Sequence, residues 1–118
     1  MSENALQTTL YSVGVFRHYC GYDYLEDAVA LAAEDPERLH SIQKEIYYPI
    51  AKKYHTNIHN VEKDIRTVRD IMIRNGGDKL LSDLTGYTLW TEKKPYPKEL
   101  IEILAEAVNK AKQDTAES

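Results

Sequence analysis

The sequence predicts a single all-α domain of about six helices spanning residues 1–118. Apolar residues recur at spacings of three and four in several segments, which is the spacing of one buried helical face. Proline and glycine fall between these segments, where helices begin or end. No two segments show the alternation of paired strands. A length of 118 residues suits one domain with one core.

The first half of the chain divides into four helical stretches. Leu6–Val13 predicts a short helix that ends at a glycine. Tyr22–Asp35 has an apolar face and ends before Pro36, because the residue preceding a proline avoids the helical region. A third helix begins at that proline, which suits a first turn. Pro49 interrupts it, so we expect a break near Tyr48 and a new short helix over residues 49–54.

The second half carries the most regular helical pattern, over residues 58–75. Its buried stripe is predicted to comprise Val61, Ile65, Val68 and Met72. Asn57 is predicted to cap this helix through its side-chain oxygen. A short helix over residues 79–84, a turn at Thr85-Gly86 and a brief extended piece over residues 87–90 follow. The last helix is expected over residues 98–112, with an exposed tail from about residue 113. The apolar face of this last helix is predicted to comprise Leu100, Ile103, Leu104, Ala107 and Val108.

Composition excludes several classes of protein. Hydrophobic residues make up 42% and charged residues 29%, the balance of a globular rather than a disordered chain. No apolar run approaches the roughly 20 residues of a membrane helix, and the first residues lack the parts of a signal peptide. We therefore expect a cytoplasmic protein with no membrane association. Cys20 stands alone, so it cannot form an internal disulfide.

No pattern predicts an enzyme. A glycine-rich phosphate loop, a Ser/His/Asp order and paired catalytic acids do not stand out. His55 and His59 have a metal-like spacing, but a helix break is expected between them and no further ligand completes a zinc shell. Asp23, Glu26 and Asp27 follow a predicted helix start and are interpreted as stabilising its dipole. We predict a non-enzymatic protein without a metal or cofactor.

The charge is unevenly distributed. The whole chain has a net charge of −4, yet residues 44–74 contain seven basic and four acidic residues. This centre is flanked by acidic segments, residues 1–43 and residues 75–118. A local basic excess is typical of nucleic-acid sites, because phosphate contacts release counterions whatever the charge of the far surface. Solvated helix faces give similar clusters, so charge alone leaves both interpretations open.

Residues 50–65 have the pattern of a helix-turn-helix. The pair Ile50-Ala51 is followed by Tyr54, Val61 and Ile65 at the spacing that fills the wedge between two crossing helices. A small residue is needed at position 51, where the second helix crosses closely. The outer face of that helix would carry polar types suited to base edges and phosphates. A helical hairpin with a salt-bridged outer face, for example through a Glu62–Arg66 pair, fits the same pattern.

Four blocks in register resemble one known family. Gly21–Ala28 resembles Gly-Tyr-x-Tyr-Leu-x-x-Ala, and Ile50–Thr56 resembles Ile-Ala-Lys-Lys-Phe-x-Thr. Val61–Arg66 resembles Val-Glu-Arg-Ala-Ile-Arg, and Gly86–Thr88 matches Gly-Tyr-Thr. Over about residues 6–108 the chain resembles the C-terminal effector domain of the stage-zero sporulation initiation response regulators of bacteria.

The resemblance implies a winged-helix-like transcription regulator that binds double-stranded DNA through a helix-turn-helix. Residues 58–75 would form the helix that enters the major groove. The base-contact candidates that it implies, with the polar residues beside them, are Glu62, Lys63, Arg66, His59 and Asn60. The phosphate-contact candidates are Lys52, Lys53, Arg69, Thr56 and Asn57.

Some residues depart from the family pattern. Lys63 replaces an arginine and lacks its planar fork, which weakens guanine discrimination. Asn60 and Asp64 stand where the family has arginine and alanine, so we expect weaker or retuned DNA binding. Asp78 and Asp83 alter the short helix that touches RNA polymerase in the family, which does not favour that contact.

The sequence leaves the partner open. The family pairs on tandem DNA sites, which implies a homodimer on DNA or a heterodimer with a full-length regulator. The family's receiver domain is not found in this sequence, so control by phosphorylation is not expected. The alternative is a protein-interaction module that pairs with a full-length regulator, through residues 100–108, without reading DNA. The acidic net charge, Asp64 and the nine tyrosines favour that alternative.

Overall fold

The computed structural model describes the backbone of residues 3–90 and 92–117, and the side chains of residues 5–90 and 92–113. The described part of the chain contains no β-strand, which confirms the all-α class. The α-helices are α1 (Glu3–Ser12), α2 (Cys20–Glu34), α3 (Tyr48–Lys53), α4 (Ile58–Arg74), α5 (Gly77–Thr85) and α6 (Pro97–Glu117). A 3-10 segment (Pro36–Ser41) and a π segment (Gln43–Tyr47) connect α2 to α3.

The break expected near Tyr48 is replaced by a wider helical turn. Ile42, Tyr47 and Tyr48 all keep right-handed helical backbone angles, and the Tyr48 N–H donates to the carbonyl of Gln43, five residues back. Pro49 has no N–H to donate, and its ring would clash in a regular turn. The wider turn accommodates the proline without interrupting the chain direction.

The predicted stripe of α4 is confirmed as the centre of the core. All four of its residues are at most 1% exposed, and they pack among the apolar faces of α2 and α6. Gly21 lies at the start of α2, directly against the α4 backbone. The other end of α4 is held by Asn75, whose side-chain amide donates to the carbonyl of Val13 over 3.2 Å. The core therefore fixes α4 along its length.

The last helix differs from the prediction in its end and in its buried face. It continues to Glu117 rather than ending at residue 112, and the expected tail from about residue 113 falls mostly beyond the described side chains. Leu100 and Leu104 are fully buried as predicted. Ile101 and Ala105, which were not predicted, are buried beside them, whereas Ile103, Ala107 and Val108 are only partly buried. The buried face is rotated by part of a turn relative to the predicted one, because α2 and the 3-10 segment both cover α6.

The segment before α6 is not a strand. Residues 87–89 are irregular, and Trp90 is anchored by its indole N–H, which donates to the Thr85 hydroxyl over 3.1 Å. Gly86 has a φ of 78° and ends α5, as the turn expected there requires. None of the described helices combines the length and the hydropathy needed to span a membrane.

Candidate nucleic-acid interface

The connection between α3 and α4 is a tight hydrogen-bonded turn. Tyr54 is the C-cap of α3, and His55 follows with a φ of 55° in the left-handed region. The Thr56 N–H donates to the carbonyl of Ala51 over 2.9 Å, and the His55 N–H donates to that of Lys52 over 3.4 Å. These two bonds form a Schellman motif, which ordinarily has glycine at its left-handed position. The helix break expected between His55 and His59 is therefore present.

Two asparagines organise the start of α4. The side-chain oxygen of Asn57 accepts from the Asn60 N–H over 2.8 Å, which confirms the predicted cap. The Asn60 amide donates to the Thr56 hydroxyl over 3.1 Å. Ala51 lies beneath this turn with 4% exposure, where a larger side chain would separate the helices. Thr56, Asn57 and Asn60 thus set the angle between α3 and α4.

The outer face of α4 carries the remaining base-contact candidates. His59, Lys63 and Arg66 are exposed, and Glu62 is half-buried. Arg66 donates to the Glu62 carboxylate in the predicted ion pair one turn apart. This pair lies near the π segment and affects Tyr47. Burial, followed by the charge of Glu62, raises the pKa of Tyr47 to about 12, and the charge of Arg66 partly opposes this rise. Lys63 has no ion pair among the described residues.

The two other carboxylates of α4 are placed away from the first turns of this face. Asp64 lies half-buried on the flank of α4 where Gly21 packs. Asp70 accepts from Arg69 over 2.9 Å and from Lys94 over 3.5 Å, near the other end of the helix. Burial opposes the ionisation of Asp70, but the hydrogen bond and charge of Arg69, together with Lys94, lower its pKa below the usual 3.8.

The structure gives Arg69 a different set of partners from those expected. Its side chain is 13% exposed, and its guanidinium donates to Asp70 and, over 3.1 Å, to the Pro95 carbonyl. The side chain therefore connects α4 to the segment that leads into α6. A guanidinium held in this way has fewer donors free for a phosphate than an exposed one.

The two lysines at the end of α3 have different surroundings. Lys52 is exposed and has no ion pair among the described residues. Lys53 Nζ lies 2.9 Å from Asp27 Oδ2, and the Tyr54 hydroxyl donates to the same oxygen over 2.7 Å. The hydrogen bond and the charge of Asp27 raise the pKa of Lys53. Burial raises the pKa of Tyr54 to about 12, with a smaller contribution from the Asp27 carboxylate.

An open groove of about 580 Å³ lies between α3 and the first turn of α4. Tyr48 and Lys52 line it from α3, and Ile58 and His59 line it from α4. Tyr48 is 54% exposed. An apolar groove flanked by a lysine and a histidine offers contact to thymine methyl groups or sugars beside phosphates.

Sequence reasoning missed the roles of Asp27 and Tyr48. Asp27 was interpreted as a helix-dipole residue, yet only Asp23 lies in the first turn of α2. The bond from Asp27 to Tyr54 joins residues 27 apart, and no local pattern indicates it. No local sequence pattern indicates that Tyr48 lines the groove between α3 and α4.

The family described as Sporulation initiation factor Spo0A C terminal matches residues 6–108. This family comprises DNA-binding effector domains of transcription regulators and is not a family of enzymes. The matched range covers every element that builds the turn, the outer face of α4 and the core beneath it. The chain therefore belongs to the family of C-terminal DNA-binding domains of the sporulation initiation factor Spo0A.

Proposed function

We propose that this chain is a sequence-specific transcription regulator that reads the major groove with α4. The observation that carries the proposal is the division of α4 into two faces. One face is fully buried and held by the core, while Lys63, Arg66 and His59 project from the other. A helix fixed in this way presents its side chains with little loss of conformational freedom on binding.

The residues of the outer face have complementary roles in this proposal. Arg66 holds a guanine through two hydrogen bonds, and Glu62 accepts from a cytosine amino group. Their mutual ion pair orients both side chains before DNA arrives. Lys63 carries a compact ammonium group on a flexible stem and lacks the planar fork of arginine, so it adds affinity more than discrimination. His59 and Asn60 lie one turn earlier, towards the flanking bases.

Phosphate contacts come from the region of the turn. Lys52 and Lys53 supply charge, and the N-terminal N–H groups of α4 near Thr56 and Asn57 supply hydrogen-bond donors. These contacts position α4 without reading sequence.

Selection of bound duplexes from a random pool at near-physiological salt tests the proposal. We expect enrichment of a short motif. Arg66→Ala should then relax the preference at one base pair, since a bidentate contact contributes about 1–3 kcal/mol of discrimination. Lys52→Ala should weaken binding to all sequences alike. Lys98→Ala, an exposed lysine of α6, is the charge-matched control and should change neither. A pool that stays unenriched contradicts the proposal.

Pairing on tandem sites is the expected mode of assembly on DNA. Electrophoretic shifts on duplexes with one and two copies of the selected motif measure it, and cooperative occupancy of two adjacent copies is the expected result. Independent occupancy would show a monomeric binder.

The alternative is a protein-interaction module that does not read DNA. The exposed aromatic side chains of Tyr11 and Phe16 favour it. Leu100 and Leu104, the centre of the face expected to pair with a regulator, are instead buried in the domain's own core. A salt titration separates the two functions, because counterion release makes DNA binding fall steeply with salt and an apolar interface responds little.

A further inference from the structure

The Asp27 carboxylate lies against the Lys53 ammonium group, which an anion from outside would also bind. One oxygen of its carboxylate, Oδ2, accepts from both Lys53 and Tyr54, which are adjacent at the end of α3. The Lys53 ammonium also lies 5.1 Å from the centre of the Tyr54 ring. The neutral hydroxyl of Tyr54 therefore holds Asp27 whether or not Lys53 stays in place.

The exposures of the two charged groups differ. The Lys53 side chain is 61% exposed, while that of Asp27 is 25% exposed. The lysine can therefore swing towards solvent on its flexible stem, whereas the carboxylate stays anchored by the tyrosine hydroxyl. A phosphate approaching α3 would compete with Asp27 for the same ammonium group.

The neighbouring lysine, Lys52, provides a comparison for Lys53 at the same end of α3. Lys52 is exposed, lines the groove between α3 and α4, and has no ion pair among the described residues. Two adjacent lysines thus present unequal effective charge to an approaching polyanion.

We propose that Asp27 is an internal competitor for DNA phosphate, which lowers the affinity of the helix-turn-helix for all sequences by holding Lys53. This inference rests on the proposed function. Release of the lysine costs the energy of one exposed ion pair, which is equivalent to about twofold to fivefold in affinity. Asp27 would lower the affinity for DNA and leave the sequence preference unchanged, because Lys53 would contact the phosphate backbone of DNA and not the bases.

Asp27→Asn tests the inference on the intact chain. Asparagine keeps an acceptor for Tyr54 and removes the charge. We expect binding to the selected duplex to strengthen about twofold to fivefold at low salt. The slope of log K against log salt should steepen by up to about 0.9, the contribution of one phosphate contact. Asp27→Ser, which removes the carboxylate and leaves a shorter neutral side chain, should act in the same direction.

Two controls separate competition from a general effect of charge. Asp23→Asn makes the same charge change at an exposed position of α2. It should have the smaller effect, since no ion pair of Asp23 is found among the described residues. In a Lys53→Ala background, Asp27→Asn should no longer strengthen binding. Thermal melts of each variant establish that the fold is intact.

The outcomes distinguish this inference from the proposed function. If the wild type binds a selected duplex but Asp27→Asn behaves like Asp23→Asn, or its gain persists without Lys53, the inference is overturned alone. If the wild type binds no duplex, the proposed function and this inference fall together.

Discussion

Gly21→Ala is the substitution whose effect the structure predicts most directly. A Cβ atom at this position would lie 2.2 Å from the Asp64 carbonyl oxygen and 2.4 Å from Val68 Cγ2. Ordinary contacts of a Cβ atom are 3.4–4 Å, so α2 and α4 would have to separate by roughly 1 Å. The obstacle is the backbone of α4, which cannot move aside as a flexible side chain can.

The expected cost of Gly21→Ala is about 1–2 kcal/mol of unfolding free energy. Overpacking of a tight core costs about 1–3 kcal/mol. The better helix propensity of alanine offsets at most about 0.5–1 kcal/mol of this. Asp64 is adjacent to Lys63, so separation of the helices also shifts the outer face of α4, and we expect weaker DNA binding.

Urea denaturation followed by circular dichroism measures the stability change. Cys20→Ala, at the exposed neighbouring position, is the matched control and should stay within about 0.5 kcal/mol of the wild type. If Gly21→Ala proves as stable as the wild type or more stable, the close approach of α2 to α4 described above is wrong.

Three further substitutions test the turn and the far end of α4. Asn57→Ala should cost about 1 kcal/mol in urea denaturation through loss of the cap, while Asn57→Ser, which keeps an acceptor, should cost much less; equal losses would contradict the capping role. His55→Gly should raise the unfolding free energy by about 0.5–1 kcal/mol, because glycine adopts the left-handed conformation without steric cost, and a lowered melting temperature would count against that. Asp70→Asn should destabilise the domain by about 0.2–1 kcal/mol at pH 7. Since the folded pKa of Asp70 is lowered, its contribution is present above the unfolded value and is lost as pH falls through the folded one; a difference between wild type and variant that stays constant down to pH 2 would rule out this linkage.

The sequence predicted the helices that have strong local signals. The α4 stripe, its asparagine cap and the glycine ends of α1 and α5 each depend on residues within one or two turns of each other. The π segment was missed, because whether the chain breaks before Pro49 or widens its turn depends on how the preceding residues pack. The buried face of α6 was predicted slightly wrongly, because the apolar residues of α6 cover more than one face of the helix. Packing against the rest of the domain decides which of them are buried.

The same distinction between local patterns and tertiary packing applies to the candidate site. Sequence alone determined the helix-turn-helix, the polar outer face of α4 and the Glu62–Arg66 pair, because these depend on helical spacing and on the shape of one turn. Only the tertiary structure decided that Arg69 faces Pro95, that Asp27 holds Lys53, and that Gly21 must be glycine. Each of those facts joins residues more than 20 positions apart, and such contacts exist only after α2, α4 and the segment before α6 have packed.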